Sequence, residues 1–133
     1  TALAFDTDGI GGQAYRLYQA AFNRQPDVPG LGWWISFMDK GMSLAEVAAK
    51  FEDSAEFMNL YGTNITNTEL VTHFYQNVLH RDPEPAGLSF WVDILASGAQ
   101  SRPVVLTSFS ESPENKAQVI GSIQNGMEYT FFS

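Results

Sequence analysis

The stretch Tyr18-Gln19-Ala20-Ala21-Phe22-Asn23-Arg24-Gln25-Pro26-Asp27-Val28-Pro29-Gly30-Leu31-Gly32-Trp33-Trp34 governs the reading of this chain, because much of it is written a second time. Tyr18-Gln19, Arg24, Pro26, Gly30-Leu31, Trp34 and the following Gly41 return 57 positions later as Tyr75-Gln76, Arg81, Pro83, Gly87-Leu88, Trp91 and Gly98. After a one-residue slip the match resumes at an offset of 58, pairing Val47, Phe51, Ser54 and Glu56 with Val105, Phe109, Ser112 and Glu114. Repetition at a fixed period marks a structural unit used twice. The repeated residues are aromatics, turn glycines and prolines, with no nucleophile, base or metal cluster among them, so the duplicated object reads as a scaffold.

Working outward, apolar residues recur at helical spacing: Tyr15, Tyr18 and Phe22 in one segment, Val71, Phe74, Tyr75, Val78 and Leu79 in its counterpart. Both helices run out at the proline-rich stretches from Arg24 to Gly30 and from Arg81 to Gly87. A second helix follows each loop, with Leu31, Trp34, Ile35 and Met38 on one stripe and Leu88, Trp91, Val92 and Leu95 on the other, and Trp34 and Trp91 are expected to be largely buried in equivalent environments. Gly41 and Gly98 close these stripes at positions suited to a left-handed cap. Third helices start at Ser43, where Glu46 completes a capping box, and near Ser101-Arg102-Pro103; Thr66 and Glu69 form another box. Ser54 and Ser112 read as N-caps of short fourth helices. No strand is predicted, and Tyr129 to Ser133 read as an extended tail. The expectation is an all-α, compact multi-helix domain over 1–133, built from two pseudo-repeated helical units at about 12–62 and 67–126.

The totals narrow the function classes. Seven Lys plus Arg against 15 Asp plus Glu give a net charge of −8, which opposes binding to nucleic-acid backbones and to anionic lipid. Absence of cysteine removes any disulfide framework and any Cys-based zinc or nucleophile site. No apolar run approaches the ~20 residues of a membrane span, and no signal peptide is recognised.

Three features carry candidate chemistry. The paired loops hold Arg24 and Asp27, then Arg81 and Glu84, which read either as polar pockets for a ligand's hydroxyls or as loop staples in which the arginine satisfies helix C-terminal carbonyls while the acid caps the next helix. Trp33 and Phe90 fall about 200° around their helices from Leu31 and Leu88, opposite the apolar stripe. The second face they create is expected to be sandwiched between the two repeats, the alternative being an exposed platform for a sugar ring or a partner. Asp6-Thr7-Asp8-Gly9 has the alternating oxygens that open many calcium loops, but the twelfth residue from Asp6 is Leu17 rather than glutamate, so a helix-preceding turn is the stronger expectation and Asp6 and Asp8 the metal candidates. His73 and His80 share a helix face without a third ligand. No motif marks a nucleophilic serine.

Tyr15 to Asp27, Gly30-Leu31-Gly32-Trp33-Trp34 and Phe51 to Phe57, with Phe74 to Pro83, Gly87, Trp91 and Ser110 to Asn115 in the second unit, resemble the family catalogued as domain of unknown function 4214, and more distantly phycobilisome linker domains. The resemblance spans roughly Asp8 to Tyr129. It implies an all-helical module of bacterial secreted or surface proteins, often beside calcium-binding repeats, surface-layer proteins or adhesins. It supplies no catalytic residue, and Glu84 departs from the proline-aspartate pattern of the loop. The expected function is a non-catalytic extracellular interaction module for carbohydrate or another surface protein, with Arg24, Asp27, Trp33, Arg81, Glu84 and Phe90 as ligand-binding residues. The alternative is a spacer or self-assembly module. No cofactor is required in either case, and calcium is an optional ligand.

Overall fold

A computed structural model describes all residues from Thr1 to Ser133. Its elements are β1 (Ala2–Ala4), α1 (Ile10–Phe22), α2 (Val28–Asp39), α3 (Leu44–Glu52), α4 (Ala55–Tyr61), α5 (Asn67–Val78), α6 (Pro85–Ser97), α7 (Arg102–Ser110), α8 (Pro113–Ile123) and β2 (Met127–Tyr129). The chain is all-α apart from the two short strands. Helices α1 to α4 and α5 to α8 follow the two sequence units in the same order.

Local chemistry sets most boundaries. The Ser43 side chain accepts from the Glu46 N–H while the Glu46 carboxylate takes the Ser43 N–H, and Thr66 and Glu69 do the same for α5. Ser54, Ser101 and Ser112 cap α4, α7 and α8. Each cap satisfies an N–H group that the helix start leaves without a partner. Helices α1 and α5 end through equivalent left-handed residues, Asn23 at φ 52° and His80 at φ 58°. Both side chains belong to the few types enriched in that region.

The core is one cluster running through both units, with Leu17, Val47, Ala48, Val71, Phe74, Val78, Val105 and Leu106 all inaccessible to solvent. Equivalent helices face one another across the junction: α3 packs on α7 and α1 on α5. The symmetry is imperfect, because α1 also packs on α7 whereas α5 makes no comparable approach to α3.

Three expectations are corrected here. Strands do occur: β1 and β2 pair antiparallel, with Leu3 opposite Glu128, and they join the beginning of the chain to its end. Each has three residues and is held by pairing across the whole chain, so no alternation could develop for a sequence pattern to show. The second correction concerns Trp33 and Phe90, which are not sandwiched between repeats. They are 47% and 58% exposed, because the units meet through α1, α3 and α7 and leave α2 and α6 on the outside. The third concerns Trp34 and Trp91. They occupy equivalent places, each indole against its unit's phenylalanine at 5.0 Å from Phe51 and 5.3 Å from Phe109, but both are half-buried rather than buried.

The outer helices differ in their cover. On α2, the chain end lies across Gly32, the Thr130 N–H bonds the Val28 carbonyl at 3.1 Å, and Phe132 meets Trp33 edge-on. Helix α6 has no such cover and contains no fully buried residue.

Candidate functional site

The two loops that drew attention in the sequence fold into a pair of related networks. In the first unit Arg24 reaches across to α4, holding the Glu56 carboxylate with Nε at 2.8 Å and Nη2 at 3.1 Å. Nη2 also donates to the Tyr18 hydroxyl at 2.8 Å, and that hydroxyl donates to Asp27 Oδ1 at 2.8 Å. The guanidinium lies 4.9 Å from the centre of the Tyr18 ring. Asp27 Oδ2 accepts from the Gly30 N–H at 2.9 Å and so caps α2. Burial, and then the bond to Asp27, push the Tyr18 phenol up to about 12. The same hydroxyl is the main influence holding Asp27 below the ordinary carboxylate range.

The second unit repeats the frame with one change. Arg81 holds Glu114 through Nε at 3.0 Å and Nη2 at 3.2 Å and lies 5.1 Å from the Tyr75 ring centre. Glu84 is one methylene longer than Asp27. Its carboxylate overshoots the helix start, makes no cap bond, and takes Arg81 Nη1 at 2.6 Å instead. The Tyr75 hydroxyl consequently makes neither of the two bonds that Tyr18 makes. Burial raises its phenol above the ordinary tyrosine value, with Glu84 adding to the effect.

Asp27 thus caps the next helix, as the stapling alternative anticipated, whereas Glu84 does not and pairs with Arg81 instead. The arginines differ from that alternative: they bind a carboxylate on the fourth helix rather than the carbonyls at the end of the first. Glu56 and Glu114 were missed as partners. Their signal was present, since each arginine and each of these glutamates recur in register. Arg24 and Asp27 share no hydrogen bond or ring contact with Trp33, which stands against Phe37 at 5.0 Å and Phe132 at 5.5 Å. Phe90 meets the neighbouring Trp91 edge-on at 5.1 Å.

At the start of α1, Asp6 Oδ2 accepts from the Gly11 N–H at 2.8 Å, and the Asp6 carbonyl accepts from Gly9 and Gly12. The segment is therefore a helix-preceding turn, with the Asp8 side chain outside that hydrogen-bond set. No group of three or more His, Cys, Asp or Glu side chains lies together. His73 packs against Tyr61, and no helix is long and apolar enough to cross a membrane.

Four cavities open on the surface. One of about 150 Å³ lies between α5, α6 and α7, with Tyr75, Arg81, Trp91 and Phe109 among its walls. Another of about 220 Å³ lies where the units are joined, between Glu52, Arg102 and the apolar side chains of Phe57, Ile65 and Leu70.

A two-unit helical domain with an arginine-carboxylate staple in each unit is the class defined by this geometry. The model of the family described as Domain of unknown function (DUF4214) matches residues 14–60 and 48–119, and the chain belongs to that family. No curated protein and no solved structure matches the chain significantly.

Proposed function

We propose that the domain is a non-catalytic interaction module of a bacterial secreted or cell-surface protein, and that its ligand is carbohydrate. One observation carries this reading: the two units leave an aromatic ring in solvent at equivalent positions, Trp33 at 47% and Phe90 at 58% exposure. Neither ring is needed by the core. Trp33 is braced at near right angles by Phe37 and Phe132, which holds a half-exposed indole at the surface, and a held aromatic ring is what the apolar side of a pyranose stacks on. The net charge of −8 supports a neutral ligand over a polyanion. The placement outside the cell follows the resemblance of the repeated loops to modules of that setting.

A glycan-array screen of the isolated domain, wild type beside Trp33→Ala and Phe90→Ala, tests the reading. Binding weakened by either substitution with an unchanged melting temperature supports it, and a silent array for wild type removes it.

A second reading, self-assembly, is favoured by the exposed Leu3 and Phe5 in and just after β1, whose outer edge is unpaired, and by the exposed Phe131 just after β2. Unpaired strand edges with apolar neighbours invite a further strand. Calcium belongs to this reading as an optional ligand, with Asp6 Oδ1 and the Asp8 carboxylate as the available oxygens. Light scattering across a concentration series, in calcium and in chelator, decides it; a monomer under both conditions ends it.

A further inference from the structure

The two units differ at one place in a way that creates a cavity. In the first unit Phe22 fills the space between Tyr18 and Phe51, at 5.0 Å and 4.9 Å between ring centres, and the position four before Ser54 is Lys50. The equivalents in the second unit are Leu79 and Ser108. The ring is gone and the long side chain is gone. What remains is the cavity of about 150 Å³ walled by Tyr75, Leu79, Arg81, Trp91, Ser108 and Phe109, and none of the four cavities of the protein lies at the matching place in the first unit.

We infer that this cavity is a binding site for a single neutral hydroxylated ring, a pyranose at the end of a glycan. The inference rests on the carbohydrate reading above and names a site and a ligand size for it, distinct from the Trp33 platform. The volume suits one ring, since a dry cavity of about this size admits a benzene molecule. Among the aromatic walls Trp91 is the half-buried ring that can meet the apolar side of the sugar, with Tyr75 and Phe109 buried behind it.

Polar groups converge on the same space. Arg81 uses Nε, Nη2 and one N–H of Nη1 on Glu114 and Glu84, so further N–H donors remain. Ser108 donates its hydroxyl proton to the Val104 carbonyl and keeps its lone pairs free to accept. The Tyr75 hydroxyl, released from the role of Tyr18 by the longer Glu84, has the Trp91 indole within reach of its oxygen and keeps its proton to donate. Charge selects against other rings. Two carboxylates around one guanidinium disfavour an anionic ligand, while the guanidinium over Tyr75 occupies the aromatic face that a quaternary ammonium would need.

The three tryptophans make the test specific, because Trp91 lines the cavity, Trp33 stands on the surface and Trp34 is the packed counterpart. Methyl glycosides of glucose, galactose, mannose and N-acetylglucosamine are titrated at millimolar concentration into ¹⁵N-labelled protein while the indole N–H signals are followed. At least one is expected to move Trp91 and leave Trp34 in place. Leu79→Phe with Ser108→Lys introduces the side chains that the first unit carries at these positions, the packed Phe22 and the long Lys50, and it should abolish the shift. Should the double variant fail to fold, Ser108→Lys alone is expected to weaken binding several-fold. A Trp91 response that persists in the filled variants overturns the site, as does choline moving Trp91 in place of the sugars. Responses confined to Trp33, kept in the filled variant and lost in Trp33→Ala, overturn the cavity and leave the carbohydrate reading standing. Silence from every glycoside together with a silent glycan array removes both.

Discussion

Arg16 and Glu111, 95 residues apart, form a two-pronged ion pair that ties the first helix to the end of α7: Nε to Oε2 at 2.6 Å and Nη2 to Oε1 at 2.8 Å. The Arg16 side chain is 2% exposed and that of Glu111 22%, so this pair differs from the loop staples, whose side chains are 37–43% exposed. It lies between the units. Its counterparts by the repeat, His73 and Asp53, make no such pair, and the bond accompanies the packing of α1 on α7 that breaks the symmetry.

Removing one partner of a buried pair leaves the other charge without compensation, a loss of about 3–5 kcal/mol when both are fully buried. Glu111 retains some contact with water, so Arg16→Ala is expected to cost about 3 kcal/mol in a urea titration. Arg16→Lys should recover little, since an ammonium cannot take both carboxylate oxygens in the fork geometry. Loss of less than about 1 kcal/mol in Arg16→Ala would mean that the pair contributes no more than a surface bridge.

The indoles of Trp34 and Trp91 provide a test of unit equivalence. Full truncation of a buried Trp costs about 3–5 kcal/mol, and these two are half-buried, so each Ala variant should lose about 2–3 kcal/mol. Trp34→Ala is expected to be the larger loss, because the chain end covers α2 and nothing covers α6. Equal losses measured by denaturant unfolding would show that this cover adds nothing to the packing of Trp34.

A glycine pair separates helix propensity from close approach. A methyl group on Gly32 would stand 1.7 Å from the Thr130 carbonyl oxygen, whereas one on Gly121 in α8 would meet nothing within 4 Å. Both sit inside helices, where Gly→Ala ordinarily stabilises by roughly 0.8–1 kcal/mol. Gly121→Ala should show that gain. Gly32→Ala should instead lift the chain end from α2, expose the buried Met127 and destabilise by about 1–2 kcal/mol. Faster hydrogen exchange at the Thr130 amide and a red shift in tryptophan fluorescence are the accompanying signals; an unchanged amide would mean that the chain end does not rest on Gly32.

How much of this was legible in the sequence depends on the range of the interaction responsible. The boxes of Ser43 with Glu46 and Thr66 with Glu69, the serine caps and the stripes of Leu31 and Leu88 are written within a few residues, and they could be read directly. Trp33 was misplaced because a second apolar face records only that something covers a helix, and here Phe132, from the far end of the chain, touches it only at an edge. The loop arginines were found but their partners were not. Glu56 and Glu114 lie more than thirty residues away, and only the fold shows the guanidinium groups reaching them. The cavity of the second unit was legible in principle as Phe22 against Leu79. Its meaning required knowing that Phe22 sits between two rings.

Glu52 provides the prediction that depends on pH. It ends α3 at the junction cavity, its Oε2 is buried without a hydrogen-bond partner, and burial pushes its carboxyl from the ordinary 4.5 up to about 8, against the pull of Arg102 and with help from Asp53. A raised acid is protonated in the folded chain over a range where the unfolded chain has already lost the proton. The folded state therefore binds more protons between about pH 4.5 and pH 8, and stability falls as pH rises through that window and levels above it. Its share of stability is present in full below the unfolded value. Each unit of pKa difference corresponds to about 1.4 kcal/mol, and with partial access of water to the side chain a decline on the order of 3 kcal/mol is expected from this residue. Glu52→Gln keeps the shape and removes the ionisation, so its stability should follow a flatter curve and exceed that of wild type at about pH 8. Urea titrations of both proteins at several pH values measure the difference between the curves directly. A constant difference across the window would show that Glu52 ionises in the folded protein as freely as in the unfolded one, and the buried acid would be removed from the account.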